Sequence, residues 1–372
     1  MSDPKNGVSG MSKMDEDRLS FKRLQRDVVE KGICTMCYGC VCFCSANELN
    51  VLTLKDDKPT YEHEADCLKC GICHLICPRT KDLDTALKSK FKFDQPIGHY
   101  ESIRSLRTTD EETSAVCCDG GVGTSILKFL LDTKRIDGAI VSKREGMWNN
   151  KPMIATSYQD LLECAGSSLS HSASISDMGN LTTYASILDI VEGSRRLDLT
   201  KLAVIGTPCQ IKTIRKMQML RIVPSHLVHY TIGLFCFENF FLNDEGKRYL
   251  EKKIGADLDQ IKKINLKENF IINMKDGRTI HIDLEDLGPI IRPECLACVD
   301  FSNYTSDISL GGLGSPDGYT STMVRSESGQ RMINEAISQG YLEETQIDDD
   351  EMIEKIEKMA LRKKKRGEKY LP

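Results

Sequence analysis

An α/β core behind a small cysteine-rich α+β module is the fold class that this 372-residue sequence predicts. Three observations lead there. A cysteine run of the form C-x2-C-x2-C-x3-C occurs twice, as Cys34, Cys37, Cys40 and Cys44 and again as Cys67, Cys70, Cys73 and Cys77. Short apolar segments at residues 139–141, 202–205 and 229–235 read as buried strands, and the last two run directly toward Cys209 and Cys236. Glycine-rich turns at residues 119–123 and 311–318 adjoin predicted strands and helices.

The duplicated run is the spacing that holds a pair of cubane [4Fe–4S] clusters in bacterial-type ferredoxins. Three closely spaced thiolates wrap one cluster, and the fourth crosses to the other. Cys34, Cys37, Cys40 and Cys77 are therefore assigned to one cluster, and Cys67, Cys70, Cys73 and Cys44 to its twin. Thiolates at this spacing also suit structural zinc, but two zinc knuckles rarely repeat all three intervals. Residues 1–20 mix Ser, Gly, Asp and Lys without apolar period and read as a disordered leader. Phe21, Leu24 and Val28 then fall at helical spacing ahead of Cys34. Leu52 and Leu54, the turn at Asp56-Asp57 and Lys58-Pro-Thr-Tyr61 form a small hairpin between the two runs. The ferredoxin-like two-cluster domain is placed at residues 21–90. Residues 79–107 are charged and weakly periodic, and read as a linker.

Residues 91–345 form the predicted core. Cys117-Cys118-Asp119-Gly120-Gly121-Val122-Gly123-Thr124 opens an amphipathic helix that carries Ile126, Leu127, Phe129, Leu130 and Leu131. A glycine turn at a helix start offers free N–H groups to a phosphate or a flavin edge, although many helices begin at glycines for packing alone. Residues 202–205 run into Gly206-Thr-Pro-Cys-Gln210, and residues 229–235 end at Cys236. In open α/β sheets, ligands collect at the carboxyl ends of the strands. With Cys295-Leu-Ala-Cys298, these cysteines make a set of four: Cys209, Cys236, Cys295 and Cys298. That set predicts a third cluster; the alternative is buried apolar cysteines beside a solitary CxxC pair. The loop Gly311-Gly-Leu-Gly314-Ser-Pro-Asp-Gly318 allows close backbone approach and lacks the Rossmann G-x-G-x-x-G pattern.

Residues 346–372 turn acidic and then strongly basic, and read as a charged, solvated tail. The whole chain is 40% hydrophobic with a formal net charge of -5. No apolar run approaches the roughly 20 residues that span a bilayer, and no aromatic-basic pattern indicates nucleic acid. Sixteen cysteines without a signal peptide fit a reducing, cytoplasmic setting.

The residues from about 115 to 330 resemble the β subunit of coenzyme F420-reducing hydrogenases and dehydrogenases. The resemblance rests on Asp119-Gly-Gly121, Trp148, Lys151-Pro152, Gly206-Thr-Pro-Cys-Gln210, Gly233-Leu-Phe-Cys236 with Glu238-Asn239, Cys295-Leu-Ala-Cys298 with Asp300, Ser306-Asp-Ile-Ser309 and Gly314-Ser-Pro-Asp-Gly318. It implies FAD in a non-Rossmann site within a mixed-sheet α/β core, near Asp119, Gly120, Gly121, Thr124, Gly206, Thr207, Gln210, Gly314, Ser315 and Asp317. It also implies the core cluster beside that flavin. Coenzyme F420 would be the substrate, exchanging hydride with FAD, with single electrons passing through three clusters to or from a redox partner. The partner classes it implies are ferredoxin, heterodisulfide reductase, hydrogenase and membrane dehydrogenase subunits, as in archaeal methane metabolism. No side chain is assigned as catalytic acid or base. Where the family commonly places Lys-Tyr, this chain has Ser168-Leu169, with His171 nearby. Two other readings stay open: a ferredoxin-dependent flavin reductase of an organic substrate, and an electron-relay adaptor without its own substrate.

Overall fold

The computed structural model describes residues 20–47, 49–56, 58–93, 96–145, 150–166, 178 and 199–370. Trp148, Ser168, Leu169, His171 and the predicted leader up to residue 19 lie outside the described residues.

The N-terminal part pairs β1 (Leu52–Lys55) with β2 (Lys58–Tyr61) as an antiparallel hairpin. The two cysteine runs flank it, each entering a short helix, Gly39–Ala46 and Ile72–Leu75. Both runs bend the backbone in the same way. Met36 and Tyr38 in the first, and Lys69 and Gly71 in the second, hold φ between 52° and 73° at equivalent positions. Such left-handed steps turn successive N–H groups toward one side.

Beyond it, β3 (Ser102–Thr108), β4 (Gly138–Arg144), β5 (Asn150–Ala155), β6 (Leu202–Gly206) and β7 (Val228–Leu234) precede a separate antiparallel meander of β8 (Ile261–Leu266), β9 (Phe270–Met274) and β10 (Thr279–Ile282). β11 (Ile308–Gly311), β12 (Thr320–Val324) and β13 (Leu342–Thr345) follow. One eight-stranded sheet runs in the order β13-β3-β12-β11-β7-β6-β4-β5. Its four central strands, β11, β7, β6 and β4, are parallel. The strands outside them are antiparallel. The expectation of an α/β core on a mixed sheet holds.

Alternation along β4 and β6 decides the two faces. Ala139, Val141 and Ala203 pack with the helices Val122–Asp132 and Glu327–Ser338 on one side. Ile140, Leu202 and Val204 pack on the other with the helix Pro208–Leu220. That second core is continuous with the cysteine module. Phe21, Leu24, Val41, Phe43 and Ile76 belong to the same buried cluster as Ile211, Ile214 and Met217. A Cβ added at Gly39 would stand 2.2 Å from Thr213 Cγ2, so the helix Gly39–Ala46 approaches Pro208–Leu220 about as closely as a backbone can. Lys216 lies fully buried at this junction, donating to the carbonyls of Cys77 at 2.7 Å and Thr80 at 3.0 Å and pairing with Asp84.

Two segments differ from their sequence reading. The linker read at 79–107 contains a helix, Asp84–Lys90, and the interior strand β3. The solvated tail is instead a 22-residue helix, Asp349–Tyr370, whose Met352, Ile356, Met359, Ala360, Lys363 and Gly367 are buried. An apolar stripe at three- and four-residue intervals runs beneath the charge.

Candidate functional site

The carboxyl ends of the four parallel strands open into one cavity of about 360 Å3. β4 contributes Val141, Ser142 and Arg144, β6 the segment Ile205 to Gln210, β7 the segment Leu234 to Asn239, and β11 with the following turn Leu310, Gly312 and Leu313. The same cavity is lined by Cys209, Cys236, Cys295 and Cys298 and by Asp119, Gly121 and Thr124 at the start of the helix Val122–Asp132. Phe235 packs directly on Gly311, where an added Cβ would stand 2.2 Å from the ring, and forms part of the wall between.

Each core cysteine is delivered by a defined element. Pro208 starts the helix whose second residue is Cys209, and Thr207 caps it in a reciprocal box with Gln210. Cys236 follows β7, and Cys295 and Cys298 bracket the end of the short helix Pro293–Leu296. Burial pushes the Cys209 thiol up to about 11, with Cys37, Cys298 and Cys295 among the other causes. Cys236 and Cys295 are pushed up as well, by burial first. Cys298 alone falls below the ordinary thiol value. Burial opposes that shift, but Lys363 and Arg79 outweigh it. The sulfurs also receive hydrogen bonds or polar contacts: Thr207 Oγ1 lies 3.2 Å from Cys209 Sγ, and the Asn239 N–H donates to Cys295 Sγ at 3.4 Å.

The N-terminal thiols act on one another across the two runs. Burial pushes Cys77 up to about 12, with Cys37 and Cys34 adding to it. Cys40 is raised by burial and then by Cys37, Cys34, Cys73 and Cys77. Burial pushes Cys44 up to about 12, with Cys70 and Cys67 adding; Cys73 responds to burial and then to Cys44, Cys70 and Cys67. Cys77 thus feels thiols of the first run and Cys44 thiols of the second. Cys37 also lines the large cavity, and its Sγ lies 3.3 Å from Thr213 Oγ1, which in turn donates to the Cys209 carbonyl at 2.9 Å.

Of the residues implied for cofactor binding, Asp119, Gly121, Thr124, Gly206, Thr207 and Gln210 line the cavity, and Gly120, Gly314, Ser315 and Asp317 do not. Gly120 is a packing glycine: an added Cβ would meet the Leu106 carbonyl at 2.4 Å. Gly314 packs against Met352 of the C-terminal helix, and Ser315 bonds Ser321 at 2.9 Å. Asp317 is exposed and holds Lys267, a cavity residue, at 2.7 Å. Burial is the main cause that raises the Asp119 carboxyl above its ordinary value; Asn265 donates to it at 2.8 Å. Arg79, Arg144, Lys267 and Lys363 also line the site, and no motif marked them. The unassigned Cys117, Cys118 and Cys164 stand in the same wall; burial holds Cys164 up at about 11. Cys42 is buried outside it.

This geometry can be set beside known proteins. The C terminus of the coenzyme F420 hydrogenase/dehydrogenase beta-subunit family model matches residues 199–350, and its N-terminal part matches residues 104–177. The beta subunit of coenzyme F420 hydrogenase from Methanococcus voltae is 31% identical over 284 residues, covering 74% of this chain and 95% of that one. The chain belongs to the coenzyme F420 hydrogenase/dehydrogenase beta-subunit family. Within that family it is 30% identical over 363 residues to the coenzyme F420-dependent sulfite reductase of Methanocaldococcus jannaschii. That match covers 92% of this chain but only 51% of the reductase, so the chain spans about half of that relative. One of the subunits that make up the F420H2 dehydrogenase of Methanosarcina mazei is 25% identical, with 82% of each chain covered. In the solved F420-reducing [NiFe] hydrogenase complex from Methanosarcina barkeri, one chain superimposes with a TM-score of 0.65 at 28% identity, over 74% of this family member and 92% of that chain. The family match begins at residue 104, so the duplicated cysteine module precedes the matched region.

Proposed function

We propose that this chain is an F420-linked oxidoreductase subunit that exchanges hydride with coenzyme F420 at a bound FAD and conducts single electrons through three [4Fe–4S] clusters to a redox partner protein. The observation that carries this reading is the shared cavity. A quartet of cysteines and a left-handed glycine turn at a helix start line it together, and Cys37 of the N-terminal module belongs to its wall.

The donor sets fit such groups. Cys209, Cys236 and Cys295 are raised by burial and further by neighbouring core thiols, so a strongly cationic body suits holding them as thiolates. Among the described residues, no three His, Cys, Asp or Glu side chains close tightly enough to grip a single ion. The flavin end offers an apolar wall of Leu127, Val141, Ile205, Phe235 and Leu313, and the first-turn N–H groups of Val122–Asp132 stand where an anionic group can accept them. A bound flavin supplies the exchange between a two-electron hydride and single electrons. The protein's part is placement: Asp119 and Gly121 shape the turn, Arg144 and Lys267 offer positive charge at the rim, and Thr207 and Asn239 address the core sulfurs.

Electron flow then runs from the cavity to Cys209 and Cys37, and outward to the set that contains Cys70, which is exposed beside the exposed Leu68. Among the described residues no helix is long and apolar enough to cross a membrane. The test is anaerobic mixing of the iron- and flavin-replete protein with reduced F420 and a viologen dye. Recovery of the deazaflavin absorbance together with dye reduction is the expected result. Unchanged absorbance in a sample of confirmed FAD content would overturn the F420 assignment.

A further inference from the structure

Lys363 is a buried cation outside ion-pair distance of any carboxylate among the described residues. It lies on the helix Asp349–Tyr370 and is 1% exposed. Its ammonium donates to the backbone carbonyl of Cys236 and, at 2.7 Å, to that of Asp300. Among the described residues no carboxylate comes within the 4.0 Å of an ion pair. Its basic neighbours on the same helix are paired, Arg362 with Glu285 and Arg366 with Glu238. Carbonyl oxygens solvate an ammonium but bring no net charge, and the Asp300 and Glu238 carboxylates that feel it stand outside pairing distance, so a buried cation here lacks a close counter-charge. The helix is also pressed onto the cysteine loop, since a Cβ on Gly367 would stand 2.6 Å from the Cys298 carbonyl oxygen. Lys363 itself lines the cavity beside Cys236, Cys295 and Cys298.

We propose that Lys363 is the fixed counter-cation of the cluster held by Cys209, Cys236, Cys295 and Cys298, so that the C-terminal helix sets the reduction potential of that cluster. The proposal rests on the core-cluster reading given above. A cubane on four thiolates is net negative in both oxidation states and gains one more negative charge on reduction. A cation held beside it therefore favours the reduced form. Asp300 is the competing partner. Its carboxylate is buried, with one oxygen on the Asn303 N–H at 2.9 Å and Oδ2 without a hydrogen bond, yet it stays beyond ion-pair distance of the ammonium.

The experiment is an EPR-monitored redox titration of the full chain as wild type, Lys363→Met and Lys363→Arg, with iron and sulfide counted in each. In Lys363→Met the core midpoint should fall by about 59 mV or more, which is a tenfold shift toward the oxidised form. Lys363→Arg should stay near wild type, and the other two midpoints should not move in either variant. Loss of core iron in Lys363→Met with retention in Lys363→Arg would support the same role. An unchanged core midpoint in Lys363→Met would overturn the proposal. Equal shifts or equal iron loss in both variants would overturn it too, because shape and not charge would then be what matters. Iron for only two cubanes in the wild type would remove the core-cluster reading, and this proposal with it, before any variant is compared.

Discussion

At the scale of single residues, Thr213 joins two sites that lie far apart in the chain. Its hydroxyl faces Cys37 Sγ at 3.3 Å and donates to the Cys209 carbonyl at 2.9 Å, while its methyl fills the place of a Gly39 side chain. Gly39→Ala forces overlap at a junction with no spare room, which costs about 1–3 kcal/mol by the usual measure of overpacking. Chemical denaturation should show that loss, and Thr213→Ser, which removes the methyl and keeps the hydroxyl, should recover most of it in the double variant. Additive losses in the double variant would mean the two positions do not touch. None of this was legible in the sequence, because a threonine in mid-helix carries no motif and its partner glycine lies far away along the chain. The cysteines were legible because thiolate chemistry constrains spacing. Gly120, Gly314 and Ser315 were assigned from the resemblance to a cofactor, yet they hold strands and the C-terminal helix close together.

At the scale of elements, the strands that deliver Cys209 and Cys236 could be read as continuous apolar runs, as buried parallel strands should be. β3 could not. Its Arg104 and Arg107 pair with Glu344 and Glu343 on the neighbouring β13, so charge replaces the apolar alternation that marks most strands. The C-terminal helix hid in the same way, its buried stripe diluted by lysines and arginines. Arg79 links two elements. It donates to the carbonyls of Ile33, Ala297 and Glu294, tying the loop before Cys34 to the loop between Cys295 and Cys298. Hydrogen bonds from a charged group contribute about 1.5–3 kcal/mol each. Arg79→Gln keeps at most part of this set. Freeze-quench EPR should show the core reduced at the wild-type rate and the N-terminal clusters reduced more slowly. Equal rates at both would show that the clamp does not govern the junction.

At the scale of the whole molecule, the cysteine module is not a bead on a tether. It shares a hydrophobic core with one face of the large sheet, through Ile140, Val204, Ile211, Ile214 and Met217. Removing residues 1–93 would expose that face, at roughly 25 cal/mol for each Å2 of apolar surface returned to water. The full chain should therefore melt in one calorimetric transition, and the shortened chain should aggregate or lose its cooperative transition. A truncated core that melts as the full chain does would show that the shared packing is dispensable. The relation of module to core was beyond the sequence, since cluster spacing specifies local loops and says nothing of docking.

The exposure of the thiols has a consequence for life in air. Cys40, Cys44 and Cys73 are buried, the core quartet is half-buried in the wall of the cavity, and Cys70 stands at the surface. Oxidants and chelators therefore meet the distal end first. If the proposed function holds, damage would advance inward from Cys70, cutting the path to a partner before it reaches the cavity, so that aged protein would still take up reducing equivalents but have nowhere to send them.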